Sequence, residues 1–297
     1  MADGEASTAA ALVTGANKGI GFEIVRQLSE QYPGTVYLTA RDEKRGQEAT
    51  KTLQNEGRKN VQFLRMDVGD KESIEAARDL IKKTHGGLDI LINNAGILVT
   101  AGGSSYQQTQ HASATQDAIS ETIATNFIGL LDVCRVMFPI LRPGARVVNV
   151  SSSLGTLRRL KNPELIHRLT SDSLTVEELE KIMADYVKNG TDEKLGYPTG
   201  GYGPYEMSKI GVTALSRVQQ RDFDKDQSRP DIVVNACTPG YVATDINNHS
   251  GPRTVQQGAD TPVYLALLKG NNIPKGQYLV DREVLDWVKS EGELSTV

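Results

Sequence analysis

Short β-branched and aliphatic runs recur along the chain, separated by stretches of helical period. Ala11–Thr14, Val36–Thr39, Val61–Met66, Leu88–Asn93, Arg146–Val150, Ile232–Ala236 and Gln277–Val280 read as strands. Helices are expected over Ile20–Glu30, up to about Glu56, through Ile74, Ala77 and Ile81, over Thr122–Met137 and over Ser208–Phe223. Apolar strands each followed by a helix imply a parallel sheet covered on both faces. Right-handed crossovers make that sheet doubly wound. No repeat or linker breaks the rhythm, so residues 1–297 read as one α/β domain. A single insertion, about 153–200, holds no strand run. Within it, Thr175-Val176-Glu177-Glu178 has the pattern of a capping box, opening a helix to about Lys188. Leu179, Ile182 and Met183 share one face of that helix and must be buried against something. The insertion is rim packing, a wall over a site, or cover for an interface.

Composition narrows the function classes. A net charge of −4 gives no basic footprint for nucleic acid. Cys134 and Cys237 are too few for a disulfide framework and lie in apolar runs, as reduced cytosolic thiols would. Met1–Ala10 lacks the features of a signal peptide, and no stretch reads as a membrane span of ~20 residues. A cytoplasmic location is expected. His85, His111, His167 and His249 are dispersed without ligand spacing, so no metal is expected. A serine-hydrolase G-x-S-x-G is missing.

Thr14-Gly15-Ala16-Asn17-Lys18-Gly19-Ile20-Gly21 joins the first strand to the first helix. Glycines let a backbone approach a ligand closely, and a helix N-terminus offers free N–H groups to a diphosphate. The spacing is G-x-x-x-G-x-G, neither G-x-G-x-x-G nor a Walker loop. At the end of the second strand an NAD site usually carries an acid; here Arg41 follows Thr39-Ala40. A guanidinium binds a ribose 2′-phosphate that an acid would repel, and Lys18 adds a second cation. NADPH is therefore expected over NADH. Asp42 and Glu43 suit the start of the next helix. Asp67-Val68 and Asn93-Asn94-Ala95-Gly96 end the third and fourth strands at the same ligand-bearing edge. Asp67 is placed to meet the adenine amine, whereas the asparagines are either contacts or caps.

Of ten tyrosines, Tyr205 alone has Lys four residues on, at Lys209. On a helix the two share a face. A phenol of pKa about 10 gives up its proton more readily beside an ammonium and an oxidised nicotinamide. Ser152 ends the fifth strand run and can hold a carbonyl oxygen or cap a helix. Asn126 is an amide inside an apolar helix, unfavourable unless used; a water-stabilised kink there would join it to Lys209 as a proton relay.

These segments resemble the short-chain dehydrogenase/reductase family, and within it the monomeric NADPH-dependent carbonyl reductases. The resemblance runs through TGANKGIG, LTARD, DV, NNAG, TNFIG (Thr125–Gly129), VVNVSS, YEMSKIGV (Tyr205–Val212) and TPGYVATD (Thr238–Asp245), in that order. It implies a Rossmann-type fold and a catalytic tetrad of Asn126, Ser152, Tyr205 and Lys209. It further implies NADPH contacts from Gly15, Asn17, Lys18, Gly19, Ile20, Gly21, Arg41, Asp67, Val68, Asn94, Ala95 and Gly96. Tyr205 and Lys209 would also touch the cofactor, and Pro239, Gly240, Val242 and Thr244 would line its nicotinamide. It implies a monomer, the insertion covering the helices that oligomeric members pair. Because the insertion joins Ser152 to Tyr205, it is also expected to border the substrate cleft. One departure is plain: vertebrate members carry two adjacent cysteines where this chain has Cys237-Thr238. Leu154 with its neighbours, and the loop Tyr106–Thr115, look individual. The expected activity is reduction of aldehydes, ketones or quinones. An oxidising alcohol or steroid dehydrogenase and a catalytically silent NADPH sensor are the alternatives.

Overall fold

The computed structural model describes residues 9–99, 113–270 and 272–288. Most of the loop 106–115 and the expected dispersed His111 lie outside these residues. The strands are β1 (Ala10–Val13), β2 (Thr35–Ala40), β3 (Val61–Arg65), β4 (Leu88–Asn93), β5 (Leu141–Val150), β6 (Val233–Thr238), β7 (Tyr278–Val280) and β8 (Glu283–Leu285). They form one sheet in the order β3-β2-β1-β4-β5-β6-β7-β8. β1 to β7 are parallel; β8 runs antiparallel to β7. The all-parallel expectation is corrected at this edge. Asp281 and Arg282 both take left-handed φ, 47° and 69°, the backbone of a two-residue hairpin that usually calls for Asn-Gly.

The helices are α1 (Gly19–Gln31), α2 (Glu43–Asn55), α3 (Lys71–His85), α4 (Gln116–Ile123), α5 (Leu130–Met137), α6 (Pro163–Thr170), α7 (Val176–Asn189), α8 (Gly203–Lys225) and α9 (Val255–Ala266). Strand periodicity divides the core. Ala11 and Val13 point to the layer holding Ile24, Leu28 and Val263. Ala10 and Leu12 point to the layer holding Ile74, Ile81 and Val133. Asp42 caps α2 by accepting from Arg45 N at 2.9 Å, as its position after Arg41 predicts.

Three sequence expectations change. The helix expected from Thr122 starts at Gln116 and contains a π-helical turn, Ala124–Gly129. Helical structure through Gln116–Ile140 is long and apolar enough to cross a membrane, contrary to the reading that no stretch is; 61% of that window is buried inside the fold. A helix enclosed by neighbours is apolar all round for that reason. The insertion carries two helices, α6 and α7, rather than one. Leu165, Leu169, Leu179, Ile182, Met183 and Tyr186 share a core cluster with Phe127, Leu131, Ile210 and Leu215. The insertion is thus integral packing over α4, α5 and α8.

Candidate active site

The order of strands reverses between β1 and β4, which opens a crevice at their carboxyl ends. Thr14 ties the two sides together: its Oγ1 accepts from Asn94 N and Ala95 N, each at 2.9 Å. The Asn94 amide donates to Thr14 O at 3.0 Å and Gly15 O at 3.1 Å. Gly15 has φ +61°, and a Cβ there would lie 2.9 Å from Ala95 Cα. Only glycine satisfies both the left-handed turn and that approach. Lys18 is the N-cap of α1 without a side-chain cap, so the N–H groups of the first turn face the crevice. Asn93 is a core residue: its amide donates to Asn149 Oδ1 at 2.8 Å in a buried network.

Arg41 is exposed at the mouth of the crevice, and no acid replaces it. Lys18 lines the crevice and makes an exposed ion pair with Asp245 at 2.8 Å. Asp67 Oδ1 accepts from Gly69 N at 3.0 Å, holding the β3 loop.

Tyr205 stands in the first turn of α8 and Lys209 one turn on. The Lys209 Nζ is 5.5 Å from the Tyr205 ring centroid and donates to Val150 O at 2.8 Å. Burial pulls the Lys209 pKa down to about 8, and the nearby Cys237 opposes this. The phenol behaves differently from expectation. Desolvation raises its pKa, and its hydrogen bond with Ser152, rather than the ammonium, is what opposes the rise. Ser152 Oγ also accepts from Leu154 N at 3.1 Å, and Tyr278 OH donates to Ser152 O at 2.9 Å.

Asn126 is fully buried and does not line the crevice. Its Oδ1 accepts from Ile97 N at 2.8 Å; its Nδ2 donates to Ile97 O at 2.9 Å and Ser208 Oγ at 3.1 Å. Both amide hydrogens are committed, leaving an Oδ1 lone pair. A methyl placed on Gly96 would meet that oxygen at 3.3 Å and Lys209 Nζ at 3.6 Å, so the two groups reach the same space. The π turn that carries Asn126 is the kink its position implied.

These groups converge on a cleft of about 1050 Å³. Every residue read from the sequence as a cofactor contact lines it, including Asn17, Gly19, Ile20, Gly21, Val68, Pro239, Gly240 and Val242. Thr244 Oγ1 is buried in its wall without a hydrogen-bond partner among the described residues. The sequence reading missed Ile97, Leu98, Arg158, Arg159, Tyr202, Tyr241 and Ile246. The doublet Arg158-Arg159 in the first turn after Leu157 was the available signal. From the insertion only its entry, through Arg159, borders the cleft; α6 and α7 do not. The segment expected to border the cleft thus does so at Ser153, Leu154, Arg158 and Arg159, and not through its helices. Cys134 and Cys237 are both buried and free.

Residues 9–163 match the family model described as short chain dehydrogenase. The chain is 44% identical to carbonyl reductase (NADPH) 1 of Rattus norvegicus over 283 residues, 93% of this chain and 98% of that protein. It is 42% identical to carbonyl reductase (NADPH) 1 of Homo sapiens over the same shares. The structure superposes on salutaridine reductase from Papaver somniferum with a TM-score of 0.81 and 32% identity, covering 91% of this chain and 99% of that one.

Proposed function

The chain belongs to the short chain dehydrogenase family, and on that premise we propose which of its residues carry the reaction. The activity is NADPH-dependent reduction of a carbonyl compound to an alcohol. The observation that carries the assignment is the Tyr205 phenol, hydrogen-bonded to Ser152 and one helical turn from Lys209, in a cleft whose far rim holds Arg41.

The residues present fit NADPH. The left-handed Gly15 turn, packed on Ala95, leads into the α1 N–H groups that face the cleft, and Arg41 offers a fork to a 2′-phosphate. The unpartnered Thr244 Oγ1 suits an amide such as the nicotinamide carboxamide. When bound, NADPH supplies the hydride. Ser152 and Tyr205 hold the carbonyl oxygen, where negative charge develops. Tyr205 delivers the proton to that oxygen. A phenol of ordinary pKa about 10 carries this proton at neutral pH, and burial raises its pKa further. Lys209 orients the ribose and stabilises the phenolate left behind, and Asn126 sets the far end of the reprotonation path. Val150 O and the π turn fix these two groups in place.

Two further assignments follow. The insertion buries the faces of α4, α5 and α8 on its own chain, so we assign a monomer of 32.3 kDa. Sedimentation with and without NADPH checks it, and a concentration-independent dimer mass would refute it. Two buried thiols left unpaired suit the reducing cytoplasm, which localisation of a tagged chain would check. For the activity, a panel of aldehydes, ketones and quinones with NADPH is run beside alcohols with NADP+. Turnover of alcohols alone would overturn the reductive reading.

A further inference from the structure

Within the cleft the nucleotide end and the reacting pair leave one wall unexplained. It runs from Leu154 to Arg159. Leu157 is buried and anchors a 3-10 turn, Leu157–Arg159, that holds both arginines on the cleft. The two guanidiniums are not equivalent. Arg159 is paired with Glu206 at 3.4 Å, directly after Tyr205. Arg158 is exposed, and no described carboxylate lies within ion-pair distance of it. Its field nevertheless reaches Glu206, whose pKa burial raises while Arg159 and then Arg158 oppose the rise. Arg158 is therefore close to the residue that follows the phenol.

An arginine on a turn is ordinarily just solvated. This one differs by lining the cleft, and by the charge balance around it. The lining carboxylates among the described residues are Asp67, on β3's side of the sheet, and Asp245. Asp245 is held by Lys18 at 2.8 Å and His249 at 3.0 Å. Glu206 is the one described carboxylate facing both guanidiniums and is paired with Arg159, so this wall carries one net positive charge. Ile97, Leu98, Leu154, Tyr202 and Tyr241 supply the apolar surface beside it. Such a wall suits a molecule with an apolar body and an anionic end, because a guanidinium forks onto a carboxylate.

We propose that Arg158 makes this cleft selective for carbonyl compounds that carry a carboxylate. The proposal rests on the carbonyl-reductase reading and names the substrate class for the same site. The step itself is unchanged: hydride goes to the carbonyl carbon, proton to its oxygen, and the carboxylate stays intact at the wall.

The test compares 4-formylbenzoate with its methyl ester, two aldehydes that differ in charge at the far end; their intrinsic difference in reactivity cancels when variants are compared. With NADPH saturating, kcat/KM is measured for the parent, Arg158→Gln, Arg158→Lys and Arg158→Glu. Retained NADPH fluorescence enhancement reports that each variant is folded. The parent should prefer the acid. Arg158→Gln should lower the acid-to-ester ratio about fivefold to tenfold, as expected for one partly exposed charge-assisted contact. The change should fall in KM. Arg158→Glu should lower the ratio further, Arg158→Lys should keep part of it, and added salt should move the parent toward the glutamine variant. An unmoved ratio in both Arg158→Gln and Arg158→Glu overturns the proposal, as does a parallel fall on acid and ester. If the parent reduces neither these nor neutral 4-nitrobenzaldehyde, the reductase reading itself falls, and the proposal with it.

Discussion

The two ends of the cleft are built differently. At the nucleotide end, strand ends and helix N-termini present main chain, and their shape is fixed by hydrogen bonds among Thr14, Gly15 and Asn94. At the substrate end, side chains from distant parts of the sequence meet: Leu154 and Arg158, Tyr202, Tyr241 and Ile246. That end is held from outside by Trp287, whose indole donates to Gly155 O at 2.8 Å. Gly155 itself is pressed on the catalytic helix, where a Cβ would lie 2.9 Å from Lys209 backbone. One end is defined by local conformation, the other by packing across the whole fold.

If this division is right, damage at the junction should exceed damage at either end. Tyr205→Phe removes the proton donor while leaving both ends intact. Its kcat should fall about 10²–10⁴-fold with NADPH affinity little changed, measured by turnover and fluorescence titration. A loss under tenfold would mean another group donates the proton. At the nucleotide end, Arg41→Asp should shift the NADPH-to-NADH ratio of kcat/KM about 10- to 100-fold toward NADH, discounted for the exposure of Arg41. If the ratio holds, the 2′-phosphate is bound elsewhere.

The buried lysine makes a stability prediction for the cofactor-free protein. Its pKa is lowered to about 8 from 10.5, so above pH 8 the unfolded chain holds a proton that the folded one has released. Stability should rise with pH through that window, by about 1 kcal/mol per pH unit at most, relative to Lys209→Met. Urea titrations of both proteins between pH 7 and 9 check this, and parallel curves would place the ammonium outside the buried site. The smallest effect is expected from Trp287→Phe, which loses the bond to Gly155 while keeping most of the packing. Carbonyl KM should rise about threefold and NADPH affinity should not move. Equal changes in both would show that the ends are not separable.

The same contrast explains what could be read before any coordinates. The strand–turn–helix at Gly15, the arginine after β2 and the Tyr205–Lys209 spacing depend on neighbours in sequence, and each falls on the cleft as read. The π turn at Asn126 was visible only as an amide in the wrong place. The β7–β8 hairpin escaped because its turn is Asp281-Arg282, held by partners elsewhere: Arg253 on Asp281 at 2.6 Å and Thr261 on the Arg282 N–H at 3.2 Å. Lys18 lines the cleft where its position in the turn puts it; its pairing with Asp245, brought in by the loop after β6, had no sequence signal. Arg158 left only the doublet with Arg159 as a signal and Tyr241 only its place in TPGYVATD, because it is the tertiary fold that turns them to one cavity.

The bond between Trp287 and Gly155 spans 132 residues of sequence. During synthesis at about 5–20 residues per second, Gly155 therefore waits about 7–26 s for its partner. In that interval the glycine turn and the first strands already have theirs, since Thr14 meets Asn94 only 80 residues later. A nascent chain thus closes its diphosphate turn long before the cleft is finished, and the loop 239–244 and the last strands translated complete both ends of it.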